Sequence, residues 1–370
     1  MKVLVTGGAG FIGSHLVDAL VREGHAVRVL DSFDPQVHGT ARPTYLNPKA
    51  EYLEGDVRDR TKLRQALREV SVVFHEAAVV GVGQSMYEIE KYVSANVLGT
   101  GILLDCLVND RIPLSRLIVA SSMSIYGEGQ YRCARCGPVF PSLRPTPQLH
   151  AHQWEMSCPR CHGSTTPQPT NEDKPLIPTS VYAVSKRDQE ELCLTVGRSY
   201  AIPTVALRYF NVYGPRQALS NPYTGACAIF SARVKNGHPP LLFEDGHQTR
   251  DFIDVRDIVR ANLLVMTHPD APYQSFNVGT GRATSILDVA RLLGTLYGTP
   301  IEPEITRKFR AGDIRHCYAD IARLRALGFT PSVALEDGLR ELVAWGRTAA
   351  AEDHVEAAAK ELEARGLTQG

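Results

Sequence analysis

The sequence predicts an α/β fold, a doubly wound parallel sheet with a smaller C-terminal domain and an inserted cysteine ribbon. Three observations predict it. Short apolar runs alternate with amphipathic stretches through the first half of the chain. A glycine-spaced turn joins the first apolar run to the first amphipathic one. Two Cys-x-x-Cys pairs sit in a segment, Glu128–Pro178, that breaks the alternation.

The elements follow in order. Val3–Thr6, Ala26–Leu30, Val72–His75 and Leu117–Ser121 are short, apolar and bounded by turns or charge. Ile12–Glu23, Arg60–Glu69 and Tyr92–Asn109 are the amphipathic stretches between them. Uninterrupted apolar strands alternating with helices imply a parallel sheet covered on both faces. Pro, Cys, Gly, His and Thr dominate Glu128–Pro178, which reads as an insertion. A helix resumes at Ser180, capped by Thr179 or Ser180, and Pro203–Tyr209 is a further buried strand. After Gly214-Pro215-Arg216 the elements become shorter and more polar. The expected division is a sheet domain over 1–127 and 166–216, a ribbon over 128–165, a mainly ligand-binding region over 217–348 and a charged helical tail over 349–370. The tail, alanine-rich through Ala349–Arg365, is expected to be solvated and remote from any chemistry.

At 370 residues the chain can bury a large core and form two domains. Its 40 Lys+Arg balance its 40 Asp+Glu, so nothing in the charge points to nucleic acid or an anionic membrane. No apolar run suggests a membrane span. Met1-Lys2 leads directly into the first strand, with no leader pattern. A cytoplasmic location is expected, where eight cysteines serve as metal ligands or buried thiols rather than disulfides. Cys106, Cys193, Cys227 and Cys317 are scattered and read as small buried hydrophobes.

The turn Thr6–Gly13 carries glycines at Gly7, Gly10 and Gly13, with Phe11 and Ile12 opening the helix. Glycines let backbone approach a pyrophosphate, and a helix N-terminus offers N–H groups and a positive dipole end. Asp31 ends the second strand eighteen positions past Gly13, where it would bond adenosine ribose hydroxyls. This is the Rossmann fingerprint. Neither Ser32 nor Phe33 is an arginine that would take a 2′-phosphate, so NAD is expected over NADP. Asp56-Val57 is a candidate for the adenine edge.

Tyr182 and Lys186 stand four apart in a helical segment and share one face. A neighbouring ammonium would lower the phenol's pKa and make it a general base. Ser122, at a strand end, and Ser124 are candidates to bond the same reacting hydroxyl. On spacing alone an ordinary exposed Tyr/Lys pair would read the same way.

These stretches together resemble the extended short-chain dehydrogenase/reductase superfamily, in its nucleotide-sugar epimerase and dehydratase branch. Matching segments are Thr6–Gly13, Asp31, Gly55–Val57, His75–Ala78, Asn96–Thr100, Ser121–Gly127, Tyr182–Lys186, Leu207–Arg216, Arg250–Asp257, Asn277–Gly281 and Arg310–Asp313. The resemblance implies that Tyr182 is the base, that Lys186 holds the nicotinamide ribose and that Ser122 positions the substrate hydroxyl. It implies cofactor contacts at Ala77, Ala78 and Asn96. On the substrate side it implies Asn211, Tyr223 and the loop Gly83-Gln84-Ser85. Arg250 and Arg310, with Asp313 beside them, would clamp a diphosphate, as suits the fork of guanidinium; ion pairing with Asp251 or Asp313 is the plainer alternative. Related dehydratases carry an Asp-Glu pair just after the serine. Here Met123 and Ser124 stand there, so a 4-epimerase acting through a transient 4-keto sugar is expected. A glucuronate decarboxylase of the same superfamily is the second enzyme reading, and a non-catalytic NAD-sensing or ribbon-interaction protein is the reading of another class. The strings Asp34–Gly39, Val82–Tyr87 and Gln217–Gly225 resemble bacterial dTDP-L-rhamnose 4-epimerases. The implied substrate is therefore dTDP- or UDP-linked. Relatives pair long helices into homodimers, for which Tyr92–Asn109 and Val181–Tyr200 are the segments here.

Cys133-x2-Cys136 and Cys158-x2-Cys161 have the form of a ribbon whose four thiolates converge on one structural zinc. Redox exchange is the rival use of the same motif. The insert is expected either to cover the sugar pocket or to make a subunit contact.

Overall fold

The computed structural model describes residues 1–299 and 301–370. Seven strands make the central sheet: β1 Lys2–Thr6, β2 Ala26–Asp31, β3 Glu51–Glu54, β4 Val72–His75, β5 Arg116–Ser122, β6 Thr204–Tyr209 and β7 Gln274–Val278. Their spatial order is β3-β2-β1-β4-β5-β6-β7, and every pairing is parallel. This is the doubly wound order, with the reversal between β1 and β4. Alternate residues of each strand serve opposite layers. Val3, Val5, Phe74 and Ile118 pack under the helices Phe11–Arg22 and Val255–Thr267, while Leu4, Val73, Leu117 and Val119 pack under Arg60–Ala66, Gly99–Asn109 and Val181–Ser199.

The sequence boundaries hold within a residue or two for β1, β2, β4, β5 and β6. β7 lies beyond the stretch assigned to the sheet domain, because a short strand flanked by loops carries no helix-strand rhythm. The chain leaves the sheet after β6, builds part of the smaller domain, then returns with Val255–Thr267 and β7. The smaller domain's core joins Ala226–Lys235, Ile286–Tyr297 and Leu335–Thr348 through Phe230, Leu293 and Leu342.

The helix over Ile89–Asn109 contains a π-helical turn, Val93–Leu98. By length and composition it is apolar enough to cross a membrane, which corrects the expectation that no segment would be. In this fold it packs beside Val181–Ser199, with Leu103, Leu104 and Leu107 buried against the sheet layer.

The insert forms a three-stranded antiparallel sheet from Gln130–Cys133, Gly137–Val139 and Thr165–Gln168. Its small core is Tyr131, Val139 and Met156 around Cys133 and Cys158. Such a core cannot hold the ribbon in place alone. A buried charge cluster does so. The side chain of Arg315 is 1% exposed and bonds Glu155 of the ribbon at 2.6 Å and Glu244 at 3.0 Å. Arg144, from the insert, bonds the same Glu244 at 2.7 Å. Glu128 accepts from the backbone N–H of Arg315 and His316 and from Tyr131 Oη. The ribbon is thereby fixed to the smaller domain of its own chain.

The tail departs furthest from expectation. Val355–Ala364 is helical as predicted, but Leu362 is buried and the last residues, Thr368–Gln369, pair antiparallel with Phe309–Arg310.

Candidate active site

The glycine turn is shaped by close approach. Gly7 has φ +70°, and a Cβ there would meet the backbone N of Ala77 at 2.8 Å. A Cβ on Gly13 would overlap the carbonyl of Gly7. The turn therefore lies against the loop after β4, and a cavity of about 440 Å³ opens beside both. Gly7, Gly10, Phe11, Ile12 and Gly13 form one side. Asp31, Asp56, Val57, Ala77 and Ala78 line the next, and Ser122, Tyr182 and Lys186 close the far end.

Asp31 is prepared by its surroundings. Its Oδ2 accepts from Ala9 N and its Oδ1 from Phe33 N, both at 2.9 Å. Asp56 is held by the Arg58 guanidinium, which also keeps its carboxyl below the usual range. His38 was not singled out in the sequence. Its side chain is 4% exposed, Nε2 lies 3.7 Å from Asp31 Oδ1, and the imidazole lines the cavity. Asn96 does not reach the cavity. The π-turn buries it behind the wall, where its amide bonds Val79 N and O and Ser185 Oγ. Its place is structural, because each polar atom of the amide already has a protein partner.

Tyr182 and Lys186 sit on the inner face of the helix Val181–Ser199, both buried. The expected acidification of the phenol by Lys186 is not found. Burial raises the Tyr182 pKa, and the influence that lowers it is the hydrogen bond with Ser122. Lys186 instead donates to Ala120 O and Gln189 Oε1, which turns its ammonium toward the protein. Ser124 Oγ donates to Ser122 Oγ at 2.8 Å, so the Ser122 proton remains available for the phenol.

A chain of buried groups fixes this arrangement. Gln189 Nε2 donates to Thr100 Oγ1, whose own proton goes to Asn96 O. His75 Nε2, 3.0 Å from Thr100 Oγ1, must therefore be the donor, and Nδ1 accepts from Thr6 Oγ1 at 2.8 Å. Burial pushes the His75 pKa down to about 3, so the imidazole stays neutral. The first strand end and the lysine thus belong to one network.

Glu76, the next residue, also escaped the sequence reading. It lines the cavity, and its Oε1 accepts from Tyr209 Oη at 2.9 Å. Burial raises its pKa to about 7, opposed by Tyr209 and by Lys186. Burial lowers Lys186 to about 8, opposed first by Glu76.

A second cavity of about 290 Å³ adjoins, and Ser124 lies in it. Gly83, Asn211, Tyr223, Arg250, Arg310 and Asp313 all line it. Asn211 Oδ1 is buried there without a partner among the described residues. Arg250 donates to the carbonyls of Thr249, Ile314 and Arg315 and pairs with no carboxylate among the described residues. Its positive charge is therefore left for an anion. Arg310 behaves otherwise, with Nε bonded to Asp313 at 2.8 Å and the guanidinium stacked on Phe243. Gln84 and Ser85 lie behind the cavity wall. Gln84 bonds Gln36 and Tyr92, and Ser85 Oγ accepts from Tyr182 N at 3.0 Å. These two residues position the wall and the tyrosine.

The chain belongs to the NAD dependent epimerase/dehydratase family, whose sequence profile matches residues 3–144 and 154–279. The break falls inside the cysteine insert. The chain is 38% identical over 349 residues to the dTDP-L-rhamnose 4-epimerase of Burkholderia thailandensis, covering 93% of this chain and 94% of that protein. It is 32% identical to a putative UDP-glucose 4-epimerase of Methanocaldococcus jannaschii over 93% of this chain and 97% of that protein. Among solved structures, the UDP-glucuronic acid 4-epimerase of Bacillus cereus with UDP-glucuronic acid and NAD aligns with a TM-score of 0.78 and 29% identity, covering 94% of this chain and 99% of the other. The UDP-glucose 4-epimerase of Thermotoga maritima with UDP-glucose gives 0.76 and 31%, with the same coverage.

Glu76 is a carboxylate above about 7 and so is negative while Lys186 titrates near 8. It holds the lysine charged to higher pH. Glu76→Gln removes that help, so the alkaline limb of the kcat/KM profile moves to lower pH. A limb that stays in place excludes the pairing.

Proposed function

We propose that the chain is an NAD-dependent nucleotide-sugar 4-epimerase, with a dTDP- or UDP-linked hexose as substrate. The observation that carries this reading is the meeting of the two cavities at Ser122 and Ser124, with Tyr182 at the junction. The larger cavity suits NAD. A Cβ at Gly7 or Gly13 would collide with neighbouring backbone, so the turn stays bare, and Asp31, bonded to Ala9 N, stands beside it. When bound, NAD supplies a hydride acceptor and a positively charged ring.

Tyr182 takes the proton of the sugar hydroxyl at C4 and returns it after inversion. Ser122 donates to the phenolate that receives this proton, offsetting the desolvation that disfavours the charged form. Lys186 contributes positive charge at the same end. Arg250 and Arg310 hold the diphosphate, and Asn211 Oδ1 accepts from a ligand hydroxyl. Met123 and Ser124 lie where water expulsion would need an acid and a base, which favours inversion over dehydration. The 4-keto sugar therefore returns to a sugar of opposite C4 configuration.

Tyr182→Phe should lower kcat by about 10²–10⁴-fold while nucleotide-sugar binding persists. A panel of dTDP- and UDP-sugars read by NMR at C4 identifies the substrate. Released carbon dioxide from a UDP-glucuronate would assign the decarboxylase instead, and an unchanged panel would leave a non-catalytic binding protein.

The four ribbon cysteines suit one structural zinc. Their Sγ atoms all lie within 4.8 Å of one another, and Cys133 Sγ and Cys161 Sγ are 3.6 Å apart. A tetrahedral zinc with thiolates at about 2.3 Å spaces sulfurs about 3.8 Å apart. The reduced thiols of all eight cysteines suit a cytoplasmic location. Purified protein should carry about one zinc per chain, and Cys136→Ser should lose most of it by elemental analysis. Retained zinc defeats this assignment.

A homodimer is the proposed assembly. Ile89, Val93 and Leu98 on one long helix and Val184 and Leu192 on its neighbour are exposed apolar side chains, the surface that a second copy would cover. Val184→Glu should halve the mass measured by light scattering; an unchanged mass would assign the contact elsewhere.

A further inference from the structure

The C-terminal segment, expected to be idle, lines the second cavity. Val355, Ala358, Ala359 and Leu362 recur at helical spacing on one face of Val355–Ala364, and all four line that cavity opposite Arg250. Leu362 is 5% exposed and sits against Gly83, where even a Cβ would be 3.4 Å from its methyl groups. Three residues on, Arg365 stacks 4.2 Å above the ring of Tyr87, whose hydroxyl bonds Tyr223 Oη at 2.7 Å. The helix thereby rests on the sugar-side loop.

Both ends of the segment are tied down on other elements. At its start Asp353 is bonded by Arg233 at 3.2 Å and by His238 at 2.6 Å. At its end Thr368 pairs with Arg310 in a two-residue antiparallel ladder, and Leu367 O accepts from Ala311 N at 2.9 Å. Lys308 and Glu363, 3.2 Å apart, add a surface pair. The backbone that carries Arg310 thus has the tail as its ladder partner.

We propose that residues 353–370 are part of the nucleotide-sugar site: a clasp whose apolar helix face closes the cavity and whose terminal strand holds Arg310 toward the diphosphate. This rests on the reading of the cavity as a nucleotide-sugar site. The physical logic is exclusion of water. An apolar roof over an arginine-diphosphate contact strengthens that contact and slows its loss to solvent. The clasp acts on ligand residence and does not reach the proton chemistry at Tyr182, which lies in the adjoining cavity. Leu362, Arg365 and Thr368 are positioning residues in this scheme.

The experiment compares the full chain with Leu362→Asp, with Arg365→Ala and with a chain ending at residue 352. UDP and dTDP binding is measured by calorimetry, kcat and KM with the preferred nucleotide sugar, and NAD content and melting temperature as controls of folding. Leu362→Asp should weaken nucleoside diphosphate binding and raise KM by about tenfold or more, the loss of a buried leucine contact, with kcat changed far less and NAD content retained. In the full chain UDP should protect the tail from limited proteolysis, and Arg250→Ala should abolish that protection. Should the truncated chain fail to fold, the two point variants still decide. Equal affinity and equal KM in a folded Leu362→Asp protein overturn the clasp alone. A full chain that takes up neither nucleotide overturns the reading of the cavity, and the clasp with it.

Discussion

The helix Val181–Ser199 must pack against β5 and β6, and the rest of the site depends on that contact. It brings Tyr182 and Lys186 beside Ser122 although a whole inserted ribbon separates them in the chain. The seal is a file of buried hydrogen bonds from Thr6 through His75, Thr100 and Gln189 to Lys186. A neutral His75 is what allows it, because an imidazolium there would be a buried charge beside a lysine. The network also explains why Asn96 and the π-turn lie where they do. The extra residue in that turn rotates Asn96 inward to hold Val79 and Ser185, on either side of the same contact.

Charge and burial are balanced differently in the two cavities. On the cofactor side desolvation governs the buried titrating groups: Tyr182 and Glu76 rise and Lys186 falls. Spacing four residues on a helix suggested that the ammonium would dominate the phenol. It does not, because the side chain of Lys186 runs toward Ala120 and Gln189 and the phenol is buried. The substrate-side cavity keeps its charge available. Among the described residues Arg250 bonds only carbonyls, and Asn211 Oδ1 has no donor.

The ribbon and the tail both meet the second cavity. The ribbon reaches it through Arg144, which bonds Glu244, a residue lining the cavity. The tail reaches it through Leu362 and Thr368. Buried ion clusters such as that around Arg315 are weak sources of stability but strong sources of fixed geometry, since each member lost would leave a charge unpaired. Placing a ribbon with so small a core is a task suited to them.

The glycine turn, Asp31, the Tyr182-x3-Lys186 face and the paired Cys-x-x-Cys knuckles were legible in the sequence because each is a local pattern, read within one turn, one helix or one loop. β7, Glu76, His38 and the tail were not. β7 is short and joins the sheet only after a long excursion. Glu76 follows a strand end like any surface acid, and its burial comes from Tyr209 and Lys186, which are distant in sequence. The tail does carry apolar residues at 355, 358, 359 and 362, yet among so many alanines and charges that pattern says only that one face is drier. The sequence by itself determined the class of sheet and the local chemical kit, since periodicity and spacing are properties of neighbours. Only the tertiary structure decided which way Lys186 points, how acidic the phenol is and what roofs the second cavity. Those depend on burial and on partners that the chain brings together from far apart.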